Sequence, residues 1–329
     1  MKLSGFYWPI TFFSTAFGAG IFFLPQSIGP VVIGGSYFSL FMFFSMLISL
    51  AAHYLFYAFI SSTNEKDFFI SSTNFIGREV SSVIFFFFIV SMVIITLINF
   101  ISLINALLLP FGNDIISRCY TSFLVSFLLS FIWFKFDGRI EVFISRIALL
   151  AIFMVGVVSI FFLLNGVQEE VHYNHISPGS MMSVLPIFLF TFNFTPCIQR
   201  FARSTEKPNV GSIVWGSLII MCFIFLVVVA ISHGLTFSDV LTISSNNVDS
   251  LSFAATIAGN DWIWIASLFL ILLITSGAYL GTLTGVVDGL VSFGVKDKRA
   301  IILYNIVLCF FVGVLNPSVI KLISKWSMP

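Results

Sequence analysis

The sequence predicts an all-α polytopic membrane protein. Apolar runs of the ~20 residues needed to cross a bilayer recur from end to end. Hydrophobic residues make up 59% of the chain and charged residues only 9%, and mean hydropathy is +1.09. A membrane β-barrel is excluded, because its strands alternate in short segments and give no long apolar run. A net charge of +1 leaves no basic stripe for nucleic-acid phosphates. Cys119, Cys197, Cys222 and Cys309 have neither metal-ligand spacing nor the pattern of a disulfide framework. The 43 phenylalanines read as lipid-facing bulk, with no chemistry attached.

Hydropathy places about nine spans, at roughly 6–28, 33–60, 80–109, 117–134, 140–164, 181–201, 210–233, 261–293 and 299–320. The first follows Lys2, as a signal peptide would, but its length, its internal Gly18-Ala19-Gly20 and the next span close behind mark a retained helix. Polar stretches lie near 61–79, 165–180 and 235–260; no soluble domain fits, so 1–329 reads as one transmembrane domain. With the N-terminus in the cytoplasm, every Lys and Arg except Arg118, Lys321 and Lys325 falls on the cytoplasmic side. The outer loops with Glu169, Glu170, Asp239, Asp249 and Asp261 carry no basic residue, an asymmetry that predicts an N-in topology.

The first span is interrupted by Gly18 and Gly20, which weaken a helix through their backbone freedom. One reading is a glycine packing face; the other is a true break. Unpaired backbone groups in hydrocarbon cost several kcal/mol each, so a break is tolerated where it lines a cavity. The sixth span runs Phe190-Thr191-Phe192-Asn193-Phe194-Thr195-Pro196. Pro196 removes a helix hydrogen bond, and Asn193 and Thr195 place polar groups before it. Alone, this is an ordinary proline kink. Two interrupted spans five apart, in corresponding positions of two halves, point instead to a transporter site, with the second half inverted.

The eighth span carries Gly277, Gly281, Gly285 and Gly289, four residues apart, which form one smooth ridge for close helix packing. Thr275 and Ser276 begin that ridge. Such hydroxyls usually bond carbonyls one turn back, though they could also ligate a small hard cation beside the first break. An intramembrane enzyme would need paired carboxylates or a Ser-His dyad. Asp288, the one carboxylate clearly inside a span, lies near its cytoplasmic end, and His53 and His233 stand at span ends without a serine motif. A channel would need a charged ring or a filter repeat. No enzyme and no cofactor is expected.

Residues 17–25, Pro186 to Pro196, Gly281 to Gly289 with Gly285-Val286-Val287-Asp288-Gly289, and Leu315-Asn316-Pro317-Ser318 together resemble the hydroxy/aromatic amino acid permeases, and within them the serine/threonine permease branch. The resemblance keeps its order over nearly the whole chain. It implies the leucine-transporter-like fold of two inverted five-helix repeats, here about 6–164 and 181–320. It also implies import of a small neutral amino acid, serine or threonine, by symport with Na⁺ or H⁺, in the cell inner membrane. An aromatic amino acid is the alternative cargo. By position, Gly18 and the amides of Ala19 and Gly20 would hold the substrate carboxylate. Carbonyls of Ala16, Phe190 and Thr191, with Asn193 and Thr195 nearby, would hold its ammonium. The carbonyls of Ser14 and Phe17 and the hydroxyls of Thr275 and Ser276 would form a cation site. The hydroxyls and the lack of a mid-membrane carboxylate tilt the coupling toward Na⁺. Amino acid and lipid are the expected partners, with no nucleic acid and no obligate protein.

Two departures stand beside the resemblance. The serine branch leads one to expect a lysine near Gly277, and none is there. The chain ends at Pro329, where a tenth helix would begin, so the second repeat reads as incomplete. A truncated, non-transporting remnant is therefore the third alternative.

Overall fold

In the computed structural model, which describes residues 7–112, 114–166, 178–204, 210–246, 248–319 and 322, the first apolar run folds as two helices. α1 (Tyr7–Ala16) and α2 (Ala19–Ile28) meet at 56°. Phe17 and Gly18 form the break, with Gly18 extended at φ −114° and ψ −163°. α3 (Pro30–Ile33) leads to α4 (Gly35–Ile60) through Gly34, whose φ of 84° suits only glycine. The short α5 (Phe68–Ile76) starts where the Asp67 carboxylate accepts from the Ile70 amide at 3.1 Å.

α6 (Arg78–Leu108) and α7 (Ile115–Phe136) follow, the latter capped by Asp114. A 3₁₀ turn at Asp137–Arg139 passes directly into α8 (Ile140–Asn165). The sixth run is again two pieces, α9 (Pro178–Thr191) and α10 (Thr195–Ser204). Then come α11 (Gly211–His233), α12 (Phe237–Asn246), α13 (Ser250–Ile257), α14 (Asp261–Ser292) and α15 (Lys298–Leu315). No strand occurs among the described residues.

The span count differs from the nine expected. Among the described residues, six helical stretches are long and apolar enough to cross a bilayer, or seven when the bent α1–α2 pair is one span. One of the six, Ile115–Asn165, has 51 residues, more than twice the length that a ~30 Å hydrocarbon core requires. It holds both α7 and α8, which hydropathy separates at the charged turn. α9 and α10 have 14 and 10 residues, each too short to cross alone.

The α14 ridge is where the helices close up. α14 packs along α6, α8, α1 and α10. A Cβ on Gly277 would strike Ser14, one on Gly281 would stand 2.5 Å from Thr15 Oγ1, and one on Gly285 would stand 2.7 Å from Pro196 Cβ. The phenylalanines divide between two environments. Phe86, Phe87 and Phe123 are exposed on the apolar outer surface, whereas Phe12, Phe13, Phe17, Phe22 and Phe23 are buried in the core. Lipid-facing bulk therefore accounts for only part of the phenylalanine content.

Candidate functional site

Both interrupted runs are true breaks, and they lie side by side. α1 packs on α10 and α2 packs on α9. The rings of Phe12 and Phe194 stack at 4.7 Å, and Thr15 Oγ1 lies 2.9 Å from Cys197 Sγ. The first half of one run thus meets the second half of the other.

At the first break the chain turns tightly, with the Gly18 amide donating to the Ala16 carbonyl at 2.8 Å and the Ile21 amide to Gly18 at 3.2 Å. The first amides of a helix have no partner within it and carry its positive end. Ala19 and Gly20 are such positions. The Ala19 amide donates to Oδ1 of Asn99, from α6, at 2.9 Å. Asn99 is buried, and its Nδ2 donates to the Ile95 carbonyl at 3.1 Å, which fixes the amide's orientation. Gly18 lies against the same group, since a Cβ there would stand 2.5 Å from Asn99 Oδ1.

The second break is held from α4. The Phe192 carbonyl accepts from Ser49 Oγ at 3.2 Å, and the Phe194 amide donates to His53 Nε2 at 3.2 Å. His53 Nδ1 lies 2.7 Å from the Ser49 carbonyl and 3.1 Å from Ser49 Oγ. A single assignment satisfies every group: Nδ1–H donates to Ser49 and Nε2 accepts from Phe194, so His53 is neutral. Its ring is stacked on Phe194, 3.7 Å between centroids and 6° from parallel. This pair is no catalytic dyad, because Nδ1 already donates and the Ser49 hydroxyl is spent on Phe192.

The other expected site residues divide. Phe190 and Thr191 end α9, where the Phe190 carbonyl accepts from the Asn193 amide at 3.2 Å and Thr191 Oγ1 donates to Phe188 at 2.7 Å. Asn193 Oδ1 accepts from the Thr195 amide at 3.1 Å. Ala16, Gly18, Ala19 and Gly20 are thus collected at one break, and Phe190, Thr191, Asn193 and Thr195 at the other. Ser14 faces Gly277, but Thr275 Oγ1 donates to the Ile271 carbonyl at 2.6 Å. Ser276 lies about 140° round the helix from Gly281, which faces Thr15. Ser14 and Phe17 lie at or beside the first break, and Ser276 immediately precedes Gly277, which faces Ser14.

Sequence reasoning missed Asn99, Ser49, His53 and the charged end of α10. Arg200 donates to Asp288 Oδ1 at 2.9 Å, Asp137 Oδ1 at 3.0 Å and Glu141 Oε1 at 2.8 Å, and Lys298 reaches Asp137 at 2.6 Å. Beside it, Asp67 binds Arg203, Ser292 and Gln199, the last at 3.1 Å. Burial pushes the Asp137 carboxyl up, but hydrogen bonds and charge from Lys298 and Arg200 outweigh this and hold it below the usual carboxylate range. Spacing offered a signal for one pair only, since Ser49 and His53 are one turn apart in a span.

An all-α polytopic membrane protein, with two broken runs packed together and their loose backbone ends held by neighbouring helices, is what these elements define. Over 365 residues, covering 98% of this chain and 86% of the other, it is 22% identical to the inner membrane transport protein YqeG of Escherichia coli (strain K12). The proteins of the same description from E. coli O6:H1 and O157:H7 match equally. No protein-family model matches the chain. This distant likeness supports a membrane transporter in general.

Proposed function

We propose that the chain is a secondary active amino-acid permease of the kind its resemblance to the hydroxy/aromatic amino acid permeases implies. It imports a small neutral amino acid, serine or threonine, by cation symport across the inner membrane, with its N-terminus in the cytoplasm. The observation that carries this reading is the pairing of the two breaks, α1 on α10 and α2 on α9. The pairing also supports two inverted repeats, about 6–164 and 181–320, working by alternating access. First-turn amides of α2 suit a carboxylate, and carbonyls ending α9 suit an ammonium. None of Ala16, Gly18, Ala19, Gly20, Phe190, Thr191, Asn193 and Thr195 carries a charge, which favours a neutral side chain on the cargo. The likeness to a transport protein also points away from an enzyme.

Uptake of labelled L-serine into liposomes holding the purified protein tests the reading, with unlabelled amino acids as competitors. Serine and threonine should compete best. Lysine or glutamate as the best competitor would overturn the neutral-cargo assignment, and tryptophan or tyrosine would move the chain to the aromatic branch.

A further inference from the structure

We propose that His53 is a proton-binding site of the transport cycle, loaded at Nε2 only when the α9–α10 break moves off it. The inference rests on the permease reading and assigns its coupling ion. His53 lies within a span, about 10 Å from the Ile60 end of α4, and is only 3% exposed. A buried ionisable side chain at such depth is costly unless it has a task. Its present hydrogen bonds fit the neutral ring. Nδ1–H is committed to the Ser49 carbonyl at 2.7 Å, and the Nε2 lone pair accepts the Phe194 amide at 3.2 Å.

Loading adds one H⁺ to that lone pair and makes an imidazolium. The Phe194 N–H then faces another N–H, so this hydrogen bond breaks and the backbone at 192–194 must move. The Nδ1–H bond to Ser49 survives, and the stacked face of Phe194 tolerates a cation. Release of H⁺ restores the lone pair and lets the break reform. Proton occupancy and this arrangement of the break therefore exclude each other, which is a coupling free energy between two sites. The same Phe194 ring stacks on Phe12 of α1, so the displacement is passed to the first break.

The surroundings leave His53 as the titrating group. α4 is packed by α11, α10, α9, α3 and α5. α10 brings Cys197, Arg200 and Arg203, α5 its capping Asp67, and α11 Cys222 and His233, while α4 itself has Tyr37, Tyr54 and Tyr57. α3 and α9 carry no titratable residue. Arg200 and Arg203 are tied to acids at the far end of α10. Cys222 and Tyr54 are exposed, and Tyr57 lies against Phe201.

The test uses the whole chain in liposomes, with serine counterflow and pH-gradient-driven accumulation measured side by side. One proton per substrate gives accumulation of about tenfold per unit of inward-acid gradient. In His53→Gln, whose Oε1 can still accept the Phe194 amide, the ratio of accumulation to counterflow should fall to that without a gradient. Sodium-free buffer should leave the wild type unchanged. If wild-type protein shows no counterflow of any amino acid, the permease reading fails and this inference with it. If wild type accumulates serine and His53→Gln does so equally, the His53 assignment alone is overturned. Should His53→Gln fail to insert, ¹⁵N-histidine spectra of the wild type decide. A resonance of the neutral Nδ1–H tautomer that becomes imidazolium with serine at acid pH supports the site, and one that stays neutral overturns it.

Discussion

Asn99 places its side-chain Oδ1 2.9 Å from the amide of Ala19, at the first turn of α2. An uncharged amide oxygen from α6 thus occupies a position at which the permease reading puts a substrate carboxylate. Loss of an N-capping group costs about 1 kcal/mol. Asn99→Ala should lower the melting temperature modestly and leave the amide open. Asn99→Asp places a full negative charge at the helix's positive end, so serine should compete poorly and KM should rise more than in Asn99→Ala. Equal KM values for the two variants would refute the competition.

Gly18 is the tight point of that break. A methyl group there would stand 2.5 Å from Asn99 Oδ1 and 3.0 Å from Ala278 Cβ. Overpacking of this kind costs about 1–3 kcal/mol. Gly35 opens α4, and a Cβ added there would meet nothing within 4 Å, so Gly35→Ala should fall within about 0.5 kcal/mol of wild type. Thermal unfolding of Gly18→Ala and Gly35→Ala in one detergent separates them. Equal melting temperatures would mean that the first break is loosely packed.

Asp137 gives the pH dependence a sign. Although burial raises its carboxyl, Lys298 and Arg200 hold the folded value below the ordinary one. Its contribution is present above the unfolded value of about 3.9 and disappears as pH falls through the lowered folded value. Lys298→Met removes the 2.6 Å partner. Its melting temperature should trail the wild type at neutral pH and converge on it in acid. A gap that widens as pH falls would contradict this role.

The apolar runs could be read from the sequence because bilayer thickness demands them, and the first break because Gly18 and Gly20 fall inside such a run. Asn193 and Pro196 announced the second in the same way. The groups that hold the breaks could not be read so directly. Asn99 lies 80 residues from Ala19, and His53 lies 141 from Phe194; hydropathy does not say which helix turns which face to which. His53 therefore looked like an isolated span-end histidine, although Ser49 one turn earlier marked the same face. Thr275 went the ordinary way of a helix hydroxyl, to a carbonyl four residues back. The charged turn at 137–139 separated two spans in hydropathy, yet it is short enough for the helical stretch to run on.

Arg200 is the last and most severe test, because three acids depend on it. Its side chain is 15% exposed, beside Asp288 at 13% and Glu141 at 16%. Removing one partner of such a buried set leaves charges that the others cannot neutralise, at a cost of about 3–5 kcal/mol. Arg200→Ala should therefore unfold many degrees below wild type, and Arg200→Lys should recover only part, since a single ammonium cannot fork to Asp288, Asp137 and Glu141 together. Adding Asp288→Ala to Arg200→Ala should cost less than the sum of the two single changes, because the orphaned acid is then gone. Thermal unfolding of wild type, the two alanine variants and their double closes the cycle. Strict additivity would show that Arg200 and Asp288 act independently, and that α10 is not anchored to α14 through this pair.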